Sequence, residues 1–309
     1  MSEQREQNTQ LEQLYRELFD TVLSSINGKI EKERIERIIA ALADAFQKEL
    51  YNELLIYSYT ISKDNYIYGH ITNNVILSVA FAKSLGLSRE DILDVGLCAF
   101  GHDLGMVEYI ELIKKPTQLT PEENSSIHDH PQKSAEMFKP YFSDRIINGI
   151  LDMHECVNGQ GYPKGKTGAE ISFLAKVISI CDIFEALTHP RNFRAEFNPY
   201  TAIKMVINKK EVMFEKKVVK KFVEFMSIYP VGTLVRVNTG ETGMVVGSNP
   251  QYPTRSIVRI LLNAQKEVKH DGKVIDLLND PMLYISGPVE AKEEKEILSF
   301  LKPRGHIQV

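Results

Sequence analysis

Cysteine is scarce in this 309-residue chain, which has only Cys98, Cys156 and Cys181. An odd, sparse set builds no disulfide framework, so a reducing, cytoplasmic setting is the expectation. No two cysteines stand two to four residues apart, which excludes zinc-finger pairing. No run of 18 apolar residues occurs, so no membrane insertion is expected. A basic excess is also missing. Lys and Arg number 37 against 41 Asp and Glu, for a formal net charge of -4, and no global field draws DNA or an acidic membrane surface. The polar start Met1-Ser2-Glu3-Gln4-Arg5-Glu6-Gln7 argues against a signal peptide. Internal repeats and low-complexity tracts are absent from the sequence.

What is present is globular material. Hydrophobic residues make up 43% and charged residues 25%, enough for a buried core and for two domains, or one domain with an appendage. Residues 1–60 read as a helical segment. Leu11, Leu14, Leu18, Val22 and Ile26 recur at spacings of three and four, Asn27-Gly28 breaks the pattern, and Ile35, Ile38, Leu42, Phe46 and Leu50 resume it. A hairpin docked on the following domain, or on a second copy of the chain, is the expectation. Residues 61–228 stay helical. Asn73 to Leu85 reads as an amphipathic helix stopping at Gly86, Ser88 as an N-cap, and Thr120-Pro121-Glu122-Glu123 as a capped helix start. Four glycines between Asn158 and Gly168 mark a loop, Ile171 to Leu187 a further helix, and residues 201–226 a lysine-rich helix pair. At Tyr229-Pro230 the pattern changes. Thr233–Val237, Gly243–Val246 and Ser256–Leu262 are β-rich, with hairpin signals at Asn238-Thr239-Gly240 and His270-Asp271-Gly272. Residues 229–309 are therefore read as a small antiparallel β appendage with a charged helical tail from Ala291.

The residues that carry chemistry are His70, His102, Asp103, His130, His154 and Asp182. Nitrogen and carboxylate donors suit Fe, Mn or Zn better than soft thiolate sites do. Asp182 shares a helical row with Ile178 and Ala186, so its carboxylate points into apolar surroundings. Such a group is costly to bury unless paired or metal-bound. His70 shares its row with Asn74, Leu77 and Phe81, and His102-Asp103 follows the apolar run Val95 to Phe100. His128 and His130 lie two apart, about 200° on a helix, so one metal cannot take both. His130, which precedes Pro131, is the chosen ligand, and His128 is read as a surface residue. Cys156 and Cys181 flank ligand positions and are read as packed side chains.

In order and spacing, these residues resemble the HD superfamily of metal-dependent phosphohydrolases, and in finer pattern the HD-GYP subfamily. The resemblance rests on Gly101-His102-Asp103-Leu104-Gly105, Lys115-Pro116-Thr117-Gln118-Leu119-Thr120-Pro121-Glu122-Glu123, His130-Pro131, His154-Glu155, Gly159-Gln160-Gly161-Tyr162-Pro163, and Cys181-Asp182-Ile183-Phe184-Glu185-Ala186-Leu187-Thr188 through Arg191 and Arg194. It implies a mainly α fold, a helical HD-type bundle, which here carries the N-terminal helical segment and the β appendage. It implies hydrolysis of cyclic di-GMP by metal-activated hydroxide. His70, His102, Asp103 and Asp182 would hold one metal, and Asp103 would bridge to a second held by His130 and His154. Asp103 and Tyr162 are then the expected catalytic positions. Lys115, Arg191 and Arg194, the two arginines one helical turn apart, are the expected substrate-binding positions. A cyclic dinucleotide is the implied ligand, with a diguanylate cyclase or a second copy of the chain as protein partner.

Several positions depart from the subfamily pattern. Met106 stands where the pattern has a lysine, Met153 where it has a histidine, Asn158 where it has an acidic residue, and Tyr66 where members with three metals have a glutamate. A thioether is a poor ligand for hard cations. The expectation is therefore one well-held metal, a weaker second and no third. The alternative reading is a catalytically weak or inactive module that binds cyclic di-GMP or docks to a partner.

Overall fold

The computed structural model describes residues 2–45, 66–192, 194–249, 252–269 and 272–301. The expectations for Phe46, Leu50 and the His270-Asp271 turn lie outside the described residues. The chain clusters into two units, Met1–Glu196 with Asn208–Val219, and Phe197–Ile207 with Lys220–Val309. The lysine-rich helix pair at 201–226 thus divides between them.

In the first unit, α1 (Ser2–Ile26) and α2 (Lys32–Ala45) form a hairpin whose reversal includes Gly28 at φ +88°. Leu11, Leu18, Val22, Ile35, Ile38 and Leu42 are buried along its seam, as the three-four spacing requires. The central helix is α3 (Tyr66–Ser84), followed by α4 (Arg89–Gly101). α1 packs on α3, and α2 on both α3 and α4. α3 starts earlier than its amphipathic pattern indicates. Of its residues from Tyr66 to Ala82, all but Tyr68 are buried, because α1, α2 and α4 cover it together with the later helix Phe173–Thr188. Its polar side chains Asn73, Asn74 and Ser78 are buried too, and each is hydrogen-bonded, as burial demands.

A 3-10 turn, Leu104–Tyr109, leads into α5 (Ile110–Ile113), α6 (Pro121–Ile127), α7 (His130–Phe138) and α8 (Asp144–Leu151). α9 (Phe173–Thr188) then returns against α3, α4 and α8. The expected caps are present. Ser88 Oγ accepts from Asp91 N at 3.1 Å, and Thr120 and Glu123 form a reciprocal capping box. α10 (Pro199–Asn208) and α11 (Lys216–Met226) complete the helices before the sheet.

The second unit contains β1 (Leu234–Val237), β2 (Thr242–Gly247), β3 (Ile257–Leu262), β4 (Val274–Asp276), β5 (Ile285–Pro288) and α12 (Ala291–Leu301). The strands make one antiparallel sheet in the order β4-β3-β2-β1-β5, with Val235 opposite Gly243 and Val245 opposite Val258. Alternation sends Val235, Val237, Val245, Val258 and Ile260 into one core cluster, while Leu234 and Leu261 join Val289 and Ile297 in another. The β1–β2 turn has Gly240 at φ +87°, where a side chain would be strained.

Candidate metal centre

The candidate ligands arrive from five places in the helical unit. His70 lies in the second turn of α3, and His102 caps the C-terminal end of α4. Asp103 follows in the link to the 3-10 turn, His130 opens α7, and Asp182 lies in α9. His154 sits in the turn after α8. Gly105 permits the approach of the 3-10 turn to α7. A Cβ there would stand 2.6 Å from the His130 carbonyl oxygen and 2.7 Å from Ser134 N, and Gly105 N donates to Ser134 Oγ at 2.9 Å.

All of these side chains except His154 are buried, and they converge. His70 Nε2 is 2.9 Å from Asp182 Oδ1 and 3.4 Å from Asp103 Oδ2. His102 Nε2 is 3.5 Å from Asp103 Oδ1 and 3.6 Å from Asp182 Oδ1. On the other side, His130 Nε2 is 3.2 Å from Asp103 Oδ1 and 2.8 Å from His154 Nε2. Asp103 therefore serves two groups, His70-His102-Asp103 and Asp103-His130-His154, whose ligand atoms lie within 4.8 Å of one another in each group. Asp182 joins the first group through Oδ1.

The tautomers follow from the outer contacts. His102 Nδ1 is 2.7 Å from the Ala99 carbonyl and His130 Nδ1 is 2.8 Å from the Ile127 carbonyl. His70 Nδ1 meets the Glu185 carboxylate. Each Nδ1 is the donor, because its partner can only accept, so each neutral ring turns an Nε2 lone pair inward. Asn74 Nδ2 lies 3.4 Å from His102 Nε2, which agrees. Inward lone pairs thus face carboxylates, and the buried Asp103 Oδ1 has no hydrogen-bond partner among the described residues. Acceptors facing acceptors in a buried space are stable when a cation lies among them. Hard and borderline nitrogen and oxygen donors suit a divalent ion of the Mn, Fe or Zn type, so the residues fit a metal.

Without a cation, protons redistribute. Burial alone would lower the His70 pKa, but Glu185, Asp103 and Asp182 outweigh it and hold His70 well above the ordinary imidazole value. His102 is raised in the same way, burial being overcome by Asp103 and Asp182. Burial and neighbouring His130 push His154 down to about 3. Burial would raise Asp103 and Asp182, but the surrounding imidazoles hold both below the usual carboxylate range. Tyr162 is raised by burial, then by Asp103 and Asp182, and is a neutral phenol.

The glycine-rich loop is held from beneath. The buried Glu155 carboxylate accepts from Lys164 N at 2.7 Å and Lys166 N at 2.8 Å. The buried Asp152 accepts from Lys166 Nζ at 2.6 and 2.8 Å and from Ser172 N at 2.9 Å. Tyr162 N donates to the His154 carbonyl at 3.1 Å. The Tyr162 ring stacks on His154, with centroids 5.0 Å apart, and on His128 at 3.8 Å. His128 is thus half-buried against Tyr162 and is not the surface residue expected. α6 ends at Ile127 with His128 as its C-cap, and α7 begins at His130, so the two imidazoles do not share one continuous helix.

Other expected contacts differ in detail. Arg191 and Arg194 are not one helical turn apart. α9 ends at Thr188, and the two residues close a tight reversal, their backbone groups exchanging hydrogen bonds of 2.9 and 3.2 Å. Arg194 donates to the carbonyls of Ala186 at 2.6 Å, Leu187 at 3.3 Å and Ala195 at 2.9 Å, tying the reversal to the end of α9. Arg191 lies 3.9 Å over the Tyr66 ring, which stacks on His70 at 5.6 Å. Burial and then Arg194 lower the Arg191 pKa to about 9. Lys115 pairs with Glu123, two residues beyond Ile113, whose carbonyl accepts from Asn192 at 3.1 Å. Met153 is buried and Met106 half-buried. Cys98 and Cys181 are buried thiols, and burial pushes both up.

Glu185, Asn73, His189, Glu155 and Asp152 were not singled out from the sequence. The signal for Glu185 was present: it follows Asp182 by three residues on one helix face, and His189 follows by four more.

Residues 61–218 match the HD domain family, and residues 234–297 match the KOW domain associated with HD domain. The chain is 30% identical over 219 residues to the cyclic di-GMP phosphodiesterase PA4108 of Pseudomonas aeruginosa, across 70% of this chain and 53% of that protein. It is 27% identical to the cyclic di-GMP phosphodiesterase PdeB of Borreliella burgdorferi, across 69% and 55%. A 3'3'-cGAMP-specific phosphodiesterase 1 of Vibrio cholerae is 30% identical over 139 residues, across 44% and 32%. The chain spans about half the length of the first two of these curated relatives. Among solved structures, Bd1817, an HDG"Y"P protein from Bdellovibrio bacteriovorus, superposes with a TM-score of 0.58 at 18% identity, covering 70% of this chain and 71% of that one. This supports the helical HD-type fold.

Proposed function

The chain belongs to the HD domain family, and from that premise we propose that it is a metal-dependent phosphodiesterase acting on cyclic dinucleotides, with cyclic di-GMP as first candidate. The observation that carries this reading is the convergence of three tautomer-locked imidazoles on the buried Asp103 carboxylate, His70 at Oδ2 and His102 and His130 at Oδ1. The names of the relatives supply the substrate class.

In this reading His70, His102, Asp103 and Asp182 hold one divalent ion, Mn or Fe with Zn as the further choice. Asp103, His130 and His154 hold a second, more weakly. When bound, the metal supplies Lewis acidity toward a phosphoryl oxygen and a source of hydroxide near neutral pH. The chain's own residues do the rest. Glu185 and the Ala99 and Ile127 carbonyls keep the Nε2 atoms aimed inward. Asp103 belongs to both groups, with Oδ2 toward His70 and Oδ1 toward His102 and His130. Tyr162, a neutral phenol beside His154, offers a hydrogen bond to a substrate oxygen. Arg191, aligned by Tyr66, offers a planar fork for a phosphate, while Arg194 holds the reversal that presents it. Met106 and Met153 add no charge or hard ligand, so a low turnover is expected.

Turnover of cyclic di-GMP and 3'3'-cGAMP with added Mn(II) or Fe(II) tests the proposal. Linear product from the wild-type chain and none from the His102→Ala, Asp103→Ala variant is the expected result. Binding of both dinucleotides without product from the wild type would overturn the enzyme reading and favour a receptor.

A further inference from the structure

Glu185 lies outside the proposed ligand set, yet its carboxylate is buried at 3% exposure and fully engaged. One oxygen, Oε2, accepts from His70 Nδ1. The other, Oε1, accepts from Asn73 Nδ2 at 3.0 Å and lies 3.0 Å from His189 Nδ1. His189 Nδ1 also donates to the Glu185 carbonyl at 2.9 Å. That fixes its tautomer, and His189 Nε2 is left to face the Asn73 amide at 3.3 Å. The chain of contacts runs from α9 through α3 and ends on a single imidazole nitrogen of the centre.

Such a buried negative group is expensive unless its position matters or its partners repay the burial. We propose that Glu185 is a positioning residue for the metal centre, held by Asn73 and His189, which locks His70 in its Nδ1-H tautomer and raises the donor strength of its Nε2. The inference rests on the metal-centre reading given above. Its physical basis is general: a carboxylate behind a ligating imidazole orients the ring and increases its basicity, and removal of such a group costs about 10–100-fold in metal affinity. Glu185 touches neither substrate nor metal in this scheme and acts through His70 alone.

The experiment compares wild type, Glu185→Ala, Glu185→Gln and Asn73→Ala of the full chain. Mn(II) binding is read by the electron paramagnetic resonance signal of the free ion. The His70 tautomer is read by long-range proton–nitrogen spectra of metal-free protein with labelled histidine, taken at alkaline pH where the ring has lost its second proton. Glu185→Ala should loosen Mn(II) by about 10–100-fold and abolish the Nδ1-H preference of His70. Glu185→Gln should recover part of both, because its amide oxygen still accepts from Nδ1. Asn73→Ala should move both readings in the same direction by less, and it carries the test if Glu185→Ala does not fold. Folded Glu185→Ala or Asn73→Ala with wild-type Mn(II) affinity and an unchanged tautomer would overturn the positioning role while leaving the metal centre intact. A wild-type chain that binds no Mn(II) would overturn the metal-centre reading itself, and the inference with it.

Discussion

Gly161→Ala is the most informative single perturbation of the glycine-rich loop. A Cβ at Gly161 would stand 2.5 Å from Glu155 Cα and 2.5 Å from the His154 carbonyl oxygen, and against Cys156 N as well. All three are backbone atoms, so no side chain can turn aside. Ordinary contact begins near 3.4 Å, so the loop has to back away from the His154 segment by about 1 Å. Overpacking of this kind costs about 1–3 kcal/mol, a fall of roughly 2–10 °C in melting temperature. Tyr162 moves with the loop, since its amide is bonded to the His154 carbonyl and its ring rests on His154 and His128. A displacement of about 1 Å in a positioning group costs on the order of 10²-fold in turnover. The assay is cyclic dinucleotide hydrolysis with metal content and a thermal melt recorded on the same preparations. A variant with wild-type melting temperature and wild-type turnover would refute the argument. A loss of metal from the His70 side would also contradict it, because the atoms that the added methyl meets first belong to the segment His154–Cys156.

Gly105→Ala should destabilise the helical unit by about 1–3 kcal/mol and weaken the His130-His154 group first, since the added methyl meets the His130 carbonyl and Ser134 N; a melt and a metal titration check this, and an unchanged melt contradicts it. Lys166→Ala leaves the buried Asp152 without its cation. The pair is partly exposed on the lysine side, so a loss of about 1–3 kcal/mol in urea unfolding is expected, and under about 0.5 kcal/mol would show that backbone donors suffice. The pH dependence has a definite sign. His70 and His102 have raised pKa values in the metal-free fold, so their protons stabilise that fold below the unfolded value near 6.5 and the benefit fades as pH rises through the folded values. Metal must displace those protons, so the melting-temperature gain from Mn(II) should grow between pH 6 and pH 8, and a flat or falling gain would count against proton–metal competition.

Local chemistry made much of this legible from the sequence. The Ser88 and Thr120 caps, the α1–α2 seam and the antiparallel strands follow from short-range patterns, and they are as read. The resemblance to the HD superfamily implies that His70, His102, Asp103 and Asp182 meet, and their side-chain atoms lie together. What periodicity could not show was burial imposed by several neighbours at once. The amphipathic pattern of α3 implies one exposed face, yet Asn73, Asn74 and Ser78 are all covered by packed helices. The Arg191–Arg194 geometry was missed because the end of α9 is fixed by Arg194 bonding back to Ala186 and Leu187, a contact with no periodic signature. His128 was misread because the break between α6 and α7 at Asp129 voids a continuous-helix angle. Glu155 and Asp152 act on backbone amides up to 20 residues away, a pairing that only the closed loop reveals.

The central claim is a caged cation, and metal analysis of protein purified without chelator tests it most directly. One or more equivalents of Mn, Fe or Zn per chain in the wild type, falling sharply in His70→Ala and Asp182→Asn, is the result expected of so closed a donor set. Less than about 0.3 equivalent in the wild type, with no uptake on adding Mn(II), would contradict it.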